Sequence, residues 1–424
     1  MRDAGMSNLI SSRYGDGVVD DSTFITRVRL SNYKSIEKCD VRLRPLLFLV
    51  GPNGSGKSNF LDALRFVADA LDKTLDHALR DRGGIKEVRR RSGGHPNHFT
   101  IKLNFKVSDG TVGDYTFRIG AQPQGGYEVQ SEECELNKPT ALTPETFYRV
   151  DRGNVISTSL PTAPAAANDR LYLVNVSGIN EFRPLYDALR HMGFYNLNPD
   201  RIRDLQDPDA GEVLRRDGGN LASVLARLER DSSGLKLRIE EYLSDVVPGV
   251  KGVEAKPVGP KETIEFRQQV VGGKDPWRFL AANMSDGTLR ALGVLVALFQ
   301  AGNGRAHRVP LVGIEEPEIA LHPAAAGVLR DSLRDASRNT QVIVTSHSPD
   351  LLDDKEIPAE WIMPVNAEKG VTTIAPVDET GRTAIRDRLY TAGELLRLNE
   401  LRPEIRPKHR GPSTPSLFAE EGEA

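Results

Sequence analysis

The string Gly51-Pro52-Asn53-Gly54-Ser55-Gly56-Lys57-Ser58 matches the pattern G-x-x-x-x-G-K-[ST] in full. The apolar run 46–50 precedes it, and apolar residues on one helical face follow it between positions 60 and 71. A buried strand, a glycine-rich turn and an amphipathic helix in this order are the context that a phosphate-binding loop requires. The inward N–H groups of the turn and the start of the helix attract phosphate oxygens. We therefore predict a nucleotide site over residues 51–59, with Asn59 as its last member.

Two side chains of this loop have predicted roles. Lys57 is expected to neutralise charge on the β- and γ-phosphates, and the Ser58 hydroxyl is expected to bind Mg²⁺. The alternative, a turn between strand and helix that binds nothing, is disfavoured because the motif is complete and stands in the required context. ATP and Mg²⁺ are the expected ligands.

A second apolar run, 311–314, ends in Glu315-Glu316-Pro317-Glu318. Ligand sites in open α/β sheets collect at the carboxyl ends of the strands, so this run predicts two carboxylates at the site. Glu315 is expected to hold Mg²⁺ directly or through water, and Glu316 to polarise the attacking water. A charged turn after a strand is the alternative for this element taken alone.

One further segment points to the same edge, and another precedes a helix. The β-rich run 341–345 is followed by His347, which we expect at the end of a third core strand. Ser285 precedes a helix with apolar residues on one face and suits its N-cap, a purely structural role when taken in isolation.

In order and spacing these motifs resemble the ABC-type P-loop ATPases related to RecF, SMC heads and the overcoming-lysogenisation-defect (OLD) proteins. In that group the acidic strand is followed by Pro-Glu and later by His-Pro, here Pro317-Glu318 and His322-Pro323. The resemblance implies a mainly parallel α/β core sheet flanked by helices, with an antiparallel β subdomain. Glu315 departs from it, because many members have Asp there and the metal geometry is less certain with the longer side chain.

The resemblance also implies roles and a partner. His347 would be the switch residue that contacts the γ-phosphate, and Ser285, Asp286 and Gly287 would be the signature that binds the γ-phosphate held by the opposite subunit. The chain would then be a homodimer joined by ATP. No Q-loop glutamine can be placed firmly, and Gln122, Gln124 and Gln130 are the candidates. A Toprim nuclease domain, which OLD proteins carry after the ATPase, is not expected, because few residues follow His347 and no Asp-x-Asp pair stands among them.

Composition gives the predicted organisation. Residues 1–20 and 402–424 are expected to be disordered; 21–156 form ATPase lobe I, 157–168 a mobile Ala- and Pro-rich connector, 169–282 a helical insert and 283–401 lobe II. The net charge of -3 does not suggest wholesale attraction to nucleic acid or membrane. Two cysteines, Cys39 and Cys134, and the lack of a long apolar stretch favour a cytoplasmic protein without a membrane segment.

Three classes of function remain open. The first is an ATPase switch that gates a separate effector protein, as OLD-like ATPases do in antiphage defence. The second is a RecF-like DNA clamp in repair or recombination, for which a basic cluster could grip phosphates. The third, a scaffold that does not hydrolyse ATP, is disfavoured because Glu316 and His347 are both present. The basic cluster comprises Lys86, Arg89, Arg90, Arg91, His95 and His98.

Overall fold

A computed structural model describes residues 24–92, 96–107, 110–137, 146–300 and 309–404. The segment 1–20, the region from 405 onward and His95 lie outside the described residues. Residues 402–404 belong to the segment predicted to be disordered, but they are hydrogen-bonded. Asp378 N donates to Arg402 O at 3.0 Å, and Glu404 N donates to Pro376 O at 2.8 Å. Within the described part of the chain, no helix combines the length and hydropathy needed to cross a bilayer.

The described strands are numbered in chain order. They are β1 (Ile25–Tyr33), β2 (Ile36–Arg42), β3 (Leu46–Val50), β4 (His98–Lys106), β5 (Val112–Ala121), β6 (Tyr127–Asn137), β7 (Thr146–Asp151), β8 (Asn154–Thr158), β9 (Gly193–Tyr195), β10 (Val250–Val258), β11 (Lys261–Gln268), β12 (Trp277–Leu280), β13 (Leu311–Glu315), β14 (Gln341–Ser346), β15 (Ile362–Glu368) and β16 (Val371–Ile374).

The described α-helices follow the same convention. They are α1 (Lys57–Asp72), α2 (Leu75–Arg80), α3 (Ile85–Val88), α4 (Tyr172–Val176), α5 (Arg183–Arg190), α6 (Pro199–Arg203), α7 (Leu221–Asp231), α8 (Ser233–Val246), α9 (Asp286–Phe299), α10 (Ala326–Ala336), α11 (Glu379–Arg386) and α12 (Ala392–Arg397).

The described strands form three sheets. The core sheet has the order β16-β15-β3-β14-β13-β9, and its members are parallel except β16. The large antiparallel sheet has the order β2-β1-β4-β5-β6-β7-β8, and the small antiparallel sheet has the order β10-β11-β12. The predicted fold class, a mainly parallel α/β core with an antiparallel β subdomain, is confirmed.

Strand composition explains this division. Every residue of β3 and β14 is buried, as expected where both faces of a parallel sheet are covered. Buried and half-buried residues alternate along β4, so the large antiparallel sheet packs one face inward and turns the other to solvent. Its inward face and α1 share one hydrophobic core, and the small sheet, α7, α8 and α9 share a second with the opposite side of the core sheet.

The predicted boundaries need two refinements. Strand β8 extends to Thr158, so the stretch without helix or strand begins at Ser159 rather than at Ser157. Besides its helices, the region 169–282 supplies β9 to the core sheet and all of the small antiparallel sheet. Sequence periodicity missed β9 because three residues are too short to show a repeat.

Candidate nucleotide site

The phosphate-binding loop follows β3 at the carboxyl end of the core sheet. Lys57 begins α1, and its side chain folds back over the loop, donating from Nζ to Gly51 O at 2.7 Å and to Pro52 O at 3.0 Å. Burial lowers the pKa of Lys57, while the charges of Glu316 and Glu318 oppose that change. The ammonium is therefore held inside the curve of the loop, where it can attract phosphate oxygens.

Close packing shows why this loop needs its glycines. A Cβ on Gly51 would approach Val365 O to 2.0 Å, and a Cβ on Gly56, whose φ is 104°, would approach Thr372 Oγ1 to 2.2 Å. Ser55 Oγ is buried and has no hydrogen-bond partner among the described residues. A buried hydroxyl without a partner, in a loop at a helix N-terminus, is a group that a bound phosphate would satisfy. The loop thus fits a nucleoside triphosphate.

The acidic pair ends β13 beside the loop. Glu315 closes the strand, and Glu316 has a left-handed backbone with φ of 46°. Its amide donates to Thr345 O at 2.9 Å, and the buried Arg290 donates to the carbonyls of Glu315 and Glu316 at 3.3 and 3.1 Å. These hydrogen bonds hold the backbone of Glu316 in a left-handed conformation that residues other than glycine rarely adopt. The two adjacent carboxylates are fixed at the edge of the sheet in this way.

The neighbouring strand β14 supplies the remaining predicted groups. His347 Nδ1 lies 3.3 Å from Glu316 Oε1, so the predicted water-activating carboxylate and the predicted switch residue are in direct contact. Ser346 Oγ donates to Glu318 Oε1 at 2.6 Å, whereas Glu318 Oε2 is buried and has no partner among the described residues. The structure therefore brings Lys57, Glu316 and His347 together, as predicted, and adds Glu318.

The predicted metal ligands share a cavity of about 180 Å³. Ser58 and Glu315 both line it, and Ser58 is exposed. Among the described residues, no group of three or more His, Cys, Asp or Glu side chains is arranged to hold a metal ion. A Mg²⁺ site made of one hydroxyl, one carboxylate, phosphate oxygens and water needs no such group. The residues present fit Mg²⁺ bound together with a nucleotide.

The signature segment stands apart from this cavity. Ser285 caps α9 as predicted, and its Oγ accepts a hydrogen bond from Thr288 N at 3.3 Å. Asp286 pairs with Arg203. A Cβ on Gly287 would approach Ala320 O to 2.4 Å, so the start of α9 packs closely on the chain that follows the acidic pair. Ser285, Asp286 and Gly287 do not line the Ser58 and Glu315 cavity, and neither do Lys57, Glu316 and His347.

Asn59 lines the same cavity as Ser58 and Glu315, and its Nδ2 donates to Ser35 Oγ at 2.7 Å, in the connection between β1 and β2. The glutamine candidates 122, 124 and 130 lie in the β5–β6 hairpin of the large antiparallel sheet, and none of them lies at the carboxyl edge of the core sheet. Asn196 directly follows β9 at that edge.

The predicted basic cluster is largely occupied by internal contacts. Arg90 is buried and pairs with Glu37 at 3.2 Å, and Arg91 pairs with Glu87. Arg89 donates to Pro96 O at 2.8 Å. These contacts weaken the expectation that the cluster grips phosphates.

Four residues of the site have no role predicted from the sequence. They are Arg216, whose guanidinium lies 2.9 Å from Glu315, Arg290, which holds the acidic turn, and Glu318 and Thr372, which contact Ser346 and the loop. Glu318 stands in the quoted acidic string, and Arg216 directly precedes Asp217-Gly218-Gly219. No sequence motif near Arg290 or Thr372 indicates that they belong to the site.

Comparisons with known proteins agree with this geometry. The family model described as "AAA domain, putative AbiEii toxin, Type IV TA system" matches residues 46–353. The "Old nuclease" of Escherichia phage P2 is 23% identical over 78% of this chain and 57% of its own length. The "DNA replication and repair protein RecF" of Erwinia tasmaniensis is 28% identical over 30% of this chain and 35% of its own length. The chain thus spans about half or less of these curated relatives.

Solved structures show the same fold. The structure titled "Crystal structure of the SmcHead bound to the C-winged helix domain of ScpA" has a TM-score of 0.54 at 16% identity, over 84% of this chain and 99% of that one. The family match covers most of the residues that build the site. The chain therefore belongs to this AAA-domain family and is an ABC-type ATPase of the RecF, SMC and OLD group.

Proposed function

We propose that two copies of this chain bind ATP between them, and that ATP binding and Mg²⁺-dependent hydrolysis close and open the pair to control a separate effector protein. The observation that carries this proposal is the division of the site. Lys57, Glu316 and His347 converge at one edge of the core sheet, whereas Ser285 Oγ is hydrogen-bonded to Thr288 of the helix that it caps, and Asp286 pairs with Arg203. A second copy would supply its own capped α9 to complete the site.

The side chains of the site suit hydrolysis. Glu316 is placed to accept a proton from water, and His347, at 3.3 Å, orients that carboxylate and can contact the terminal phosphate. Lys57 attracts the phosphate chain from inside the loop. Ser58 and Glu315 would hold Mg²⁺, which when bound supplies positive charge next to the phosphate oxygens. Ser285 and the N-terminus of α9 offer N–H groups and a favourable dipole to a phosphate on the partner subunit.

Control of a separate effector is supported by the relatives. One similar protein is named a nuclease, and the SMC head in the similar structure is bound to a domain of another protein, ScpA. Hydrolysis would remove the phosphate contacts that the two copies share, and the pair would loosen. The separation of the two heads would then depend on whether ATP is bound. Antiphage defence is the setting in which we place this switch.

The decisive experiment uses Glu316→Gln. Gln keeps the size of the side chain but cannot accept the proton, so turnover should fall by about 100-fold or more while ATP binding persists. Light scattering should then show an ATP-dependent dimer of the variant. A variant that stays monomeric at saturating ATP would contradict the proposed sandwich.

Two matched variants sharpen this test. Glu356→Gln changes an exposed glutamate of the same lobe and should leave turnover and assembly unaltered. Adding Ser285→Arg to Glu316→Gln should preserve ATP binding but prevent the dimer, because the bulky cation blocks the face offered to the partner's phosphate. Dimer formation by this double variant would exclude the signature from the interface.

A DNA-binding clamp is the second candidate, favoured by the outer face of the large antiparallel sheet. In the strand register Arg27 stands opposite Arg42, and Arg29 stands opposite Lys102. Asp40 pairs with Arg27 and Arg29, and Asp114 lies 3.5 Å from Lys102, but the cations of this face outnumber the acids, so the face would attract a polyanion. The outward residues of β2, β1, β4 and β5 include Arg27, Arg29, Lys38, Arg42, Lys102, Lys106 and Arg118, with Asp40 and Asp114 as acids.

This candidate has its own test. Arg42→Glu with Lys102→Glu should weaken binding of a duplex DNA and reduce the slope of log affinity against log salt by about two. Arg149→Glu, on β7 of the same sheet beside Glu135, is the control and should change the slope less. If the slope of log affinity against log salt is the same for the unaltered chain, the double variant and Arg149→Glu, the basic face is not a DNA-binding surface.

A further inference from the structure

Arg216 is carried to the nucleotide site by a tightly bonded turn. Asn196 N donates to Arg216 O at 3.0 Å, and Asn198 N donates to Asp217 O at 3.1 Å, so residues 216–217 lie along the chain that leaves β9. Gly219 N donates to Asp217 Oδ1 at 3.0 Å, and Asn220 Oδ1 accepts from the amide of residue 215 at 2.8 Å. The Asp217-Gly-Gly-Asn220 turn therefore fixes the backbone of Arg216 at the carboxyl edge of the core sheet.

The guanidinium of Arg216 points at the predicted metal ligand. Its Nη2 atom lies 2.9 Å from Glu315 Oε1, and the exposed fractions of the two side chains are 47% and 23%. The other two cations that line this cavity are paired elsewhere, since Lys34 and Arg65 lie 2.6 and 3.0 Å from Asp62. Among the described residues, Arg216 is thus the cationic side chain paired with Glu315.

We propose that Arg216 is a positioning residue for the metal site: it holds the Glu315 carboxylate and competes with Mg²⁺ for it. This inference rests on the proposed function, in which Glu315 holds Mg²⁺. A guanidinium and a divalent cation repel each other and compete for the same carboxylate oxygen. Arg216 therefore sets how much Mg²⁺ the protein needs before it binds nucleotide tightly.

Calorimetry with a non-hydrolysable ATP analogue, AMP-PNP, tests this at a series of Mg²⁺ concentrations. Arg216→Gln should lower the Mg²⁺ concentration that gives half of the full gain in affinity by about two- to fivefold, the range expected for losing one partly exposed ion pair. Affinity measured in EDTA should stay within about twofold, because Arg216 is not proposed to bind phosphate. Arg216→Lys keeps the charge and should stay close to the unaltered chain.

Two controls separate the possible failures. Arg215→Gln removes the adjacent arginine, which pairs with Asp209 at 3.0 Å, and should leave the Mg²⁺ requirement unchanged. Glu315→Gln should largely abolish the gain in affinity on adding Mg²⁺. If Glu315→Gln behaves so but Arg216→Gln leaves the requirement unchanged, or weakens binding in EDTA, the Arg216 proposal is overturned and the proposed function stands. If Mg²⁺ has no effect on AMP-PNP binding by the unaltered chain, the Mg²⁺ site at Ser58 and Glu315, on which both proposals rest, is overturned.

Discussion

Glu132 of the large antiparallel sheet and two polar groups of the nucleotide site differ in how many hydrogen-bond partners they have. In the antiparallel sheet, the buried Glu132 accepts hydrogen bonds from the hydroxyls of Tyr115 and Tyr148 and from the amides of Tyr172 and Leu173. At the edge of the core sheet, by contrast, Ser55 Oγ and Glu318 Oε2 are buried without a partner among the described residues.

This difference distinguishes polar groups that stabilise the fold from polar groups that a ligand would complete. A buried polar group with all its partners stabilises one arrangement, whereas one without a partner lowers stability unless a ligand completes it. The core sheet also gathers its groups from distant parts of the chain, because parallel strands end at one edge. The antiparallel sheet is largely built from consecutive hairpins and carries the inner wall on which α1 packs. Substitutions in the two regions should therefore affect different measurements.

The largest effect is expected for Lys57→Ala at the core edge. Losing the ammonium that faces the phosphates should weaken ATP binding by about 100-fold or more, measured by calorimetry. The melting temperature should change little, because the lysine donates mainly to carbonyls of its own loop. Lys73→Ala, an exposed lysine just beyond the other end of α1, is the matched control. Unchanged nucleotide affinity in Lys57→Ala would remove the central claim of a phosphate-binding loop.

The converse effect is expected for Glu132→Ala in the antiparallel sheet. Two hydroxyls and two amides would lose their common acceptor, so the free energy of unfolding should fall by about 3 kcal/mol. Denaturant unfolding measures this, and ATP affinity of the folded fraction should stay within about twofold. Glu133→Ala, exposed on the opposite face of β6, should cost less than about 1 kcal/mol. Similar losses of unfolding free energy in both variants would contradict the structural role of Glu132.

The contrast also explains what the sequence could predict. Wherever a single strand or helix carries its own pattern, as in Leu46–Val50, the α1 helix and the run 341–345, the predicted elements are confirmed. Lys57, Glu316 and His347 were predicted to meet because each follows a core strand at the same edge. Arg216 and Thr372 were not predicted, since their place depends on turns and strand pairings between segments far apart in the chain.

The smallest effect is expected where the two regions touch, at Thr372 of β16. Its Oγ1 donates to Ser55 O in the phosphate-binding loop at 2.8 Å, and its amide donates to Ser35 O, between β1 and β2, at 3.0 Å. Thr372→Val keeps nearly the same shape and the amide bond but removes the hydroxyl. We expect ATP affinity to fall about threefold and the unfolding free energy by no more than about 1 kcal/mol.

Thr373→Val is the matched control for this junction, because its side chain is exposed next to the buried Thr372. It should alter neither measurement. If Thr372→Val lowers the unfolding free energy but leaves the ATP affinity unchanged, the hydroxyl only stabilises the packing of the two sheets. If affinity falls alone, the antiparallel sheet shapes the loop through this contact, because the carbonyl of Ser55 is then left without its donor and the backbone curl that faces the phosphates relaxes.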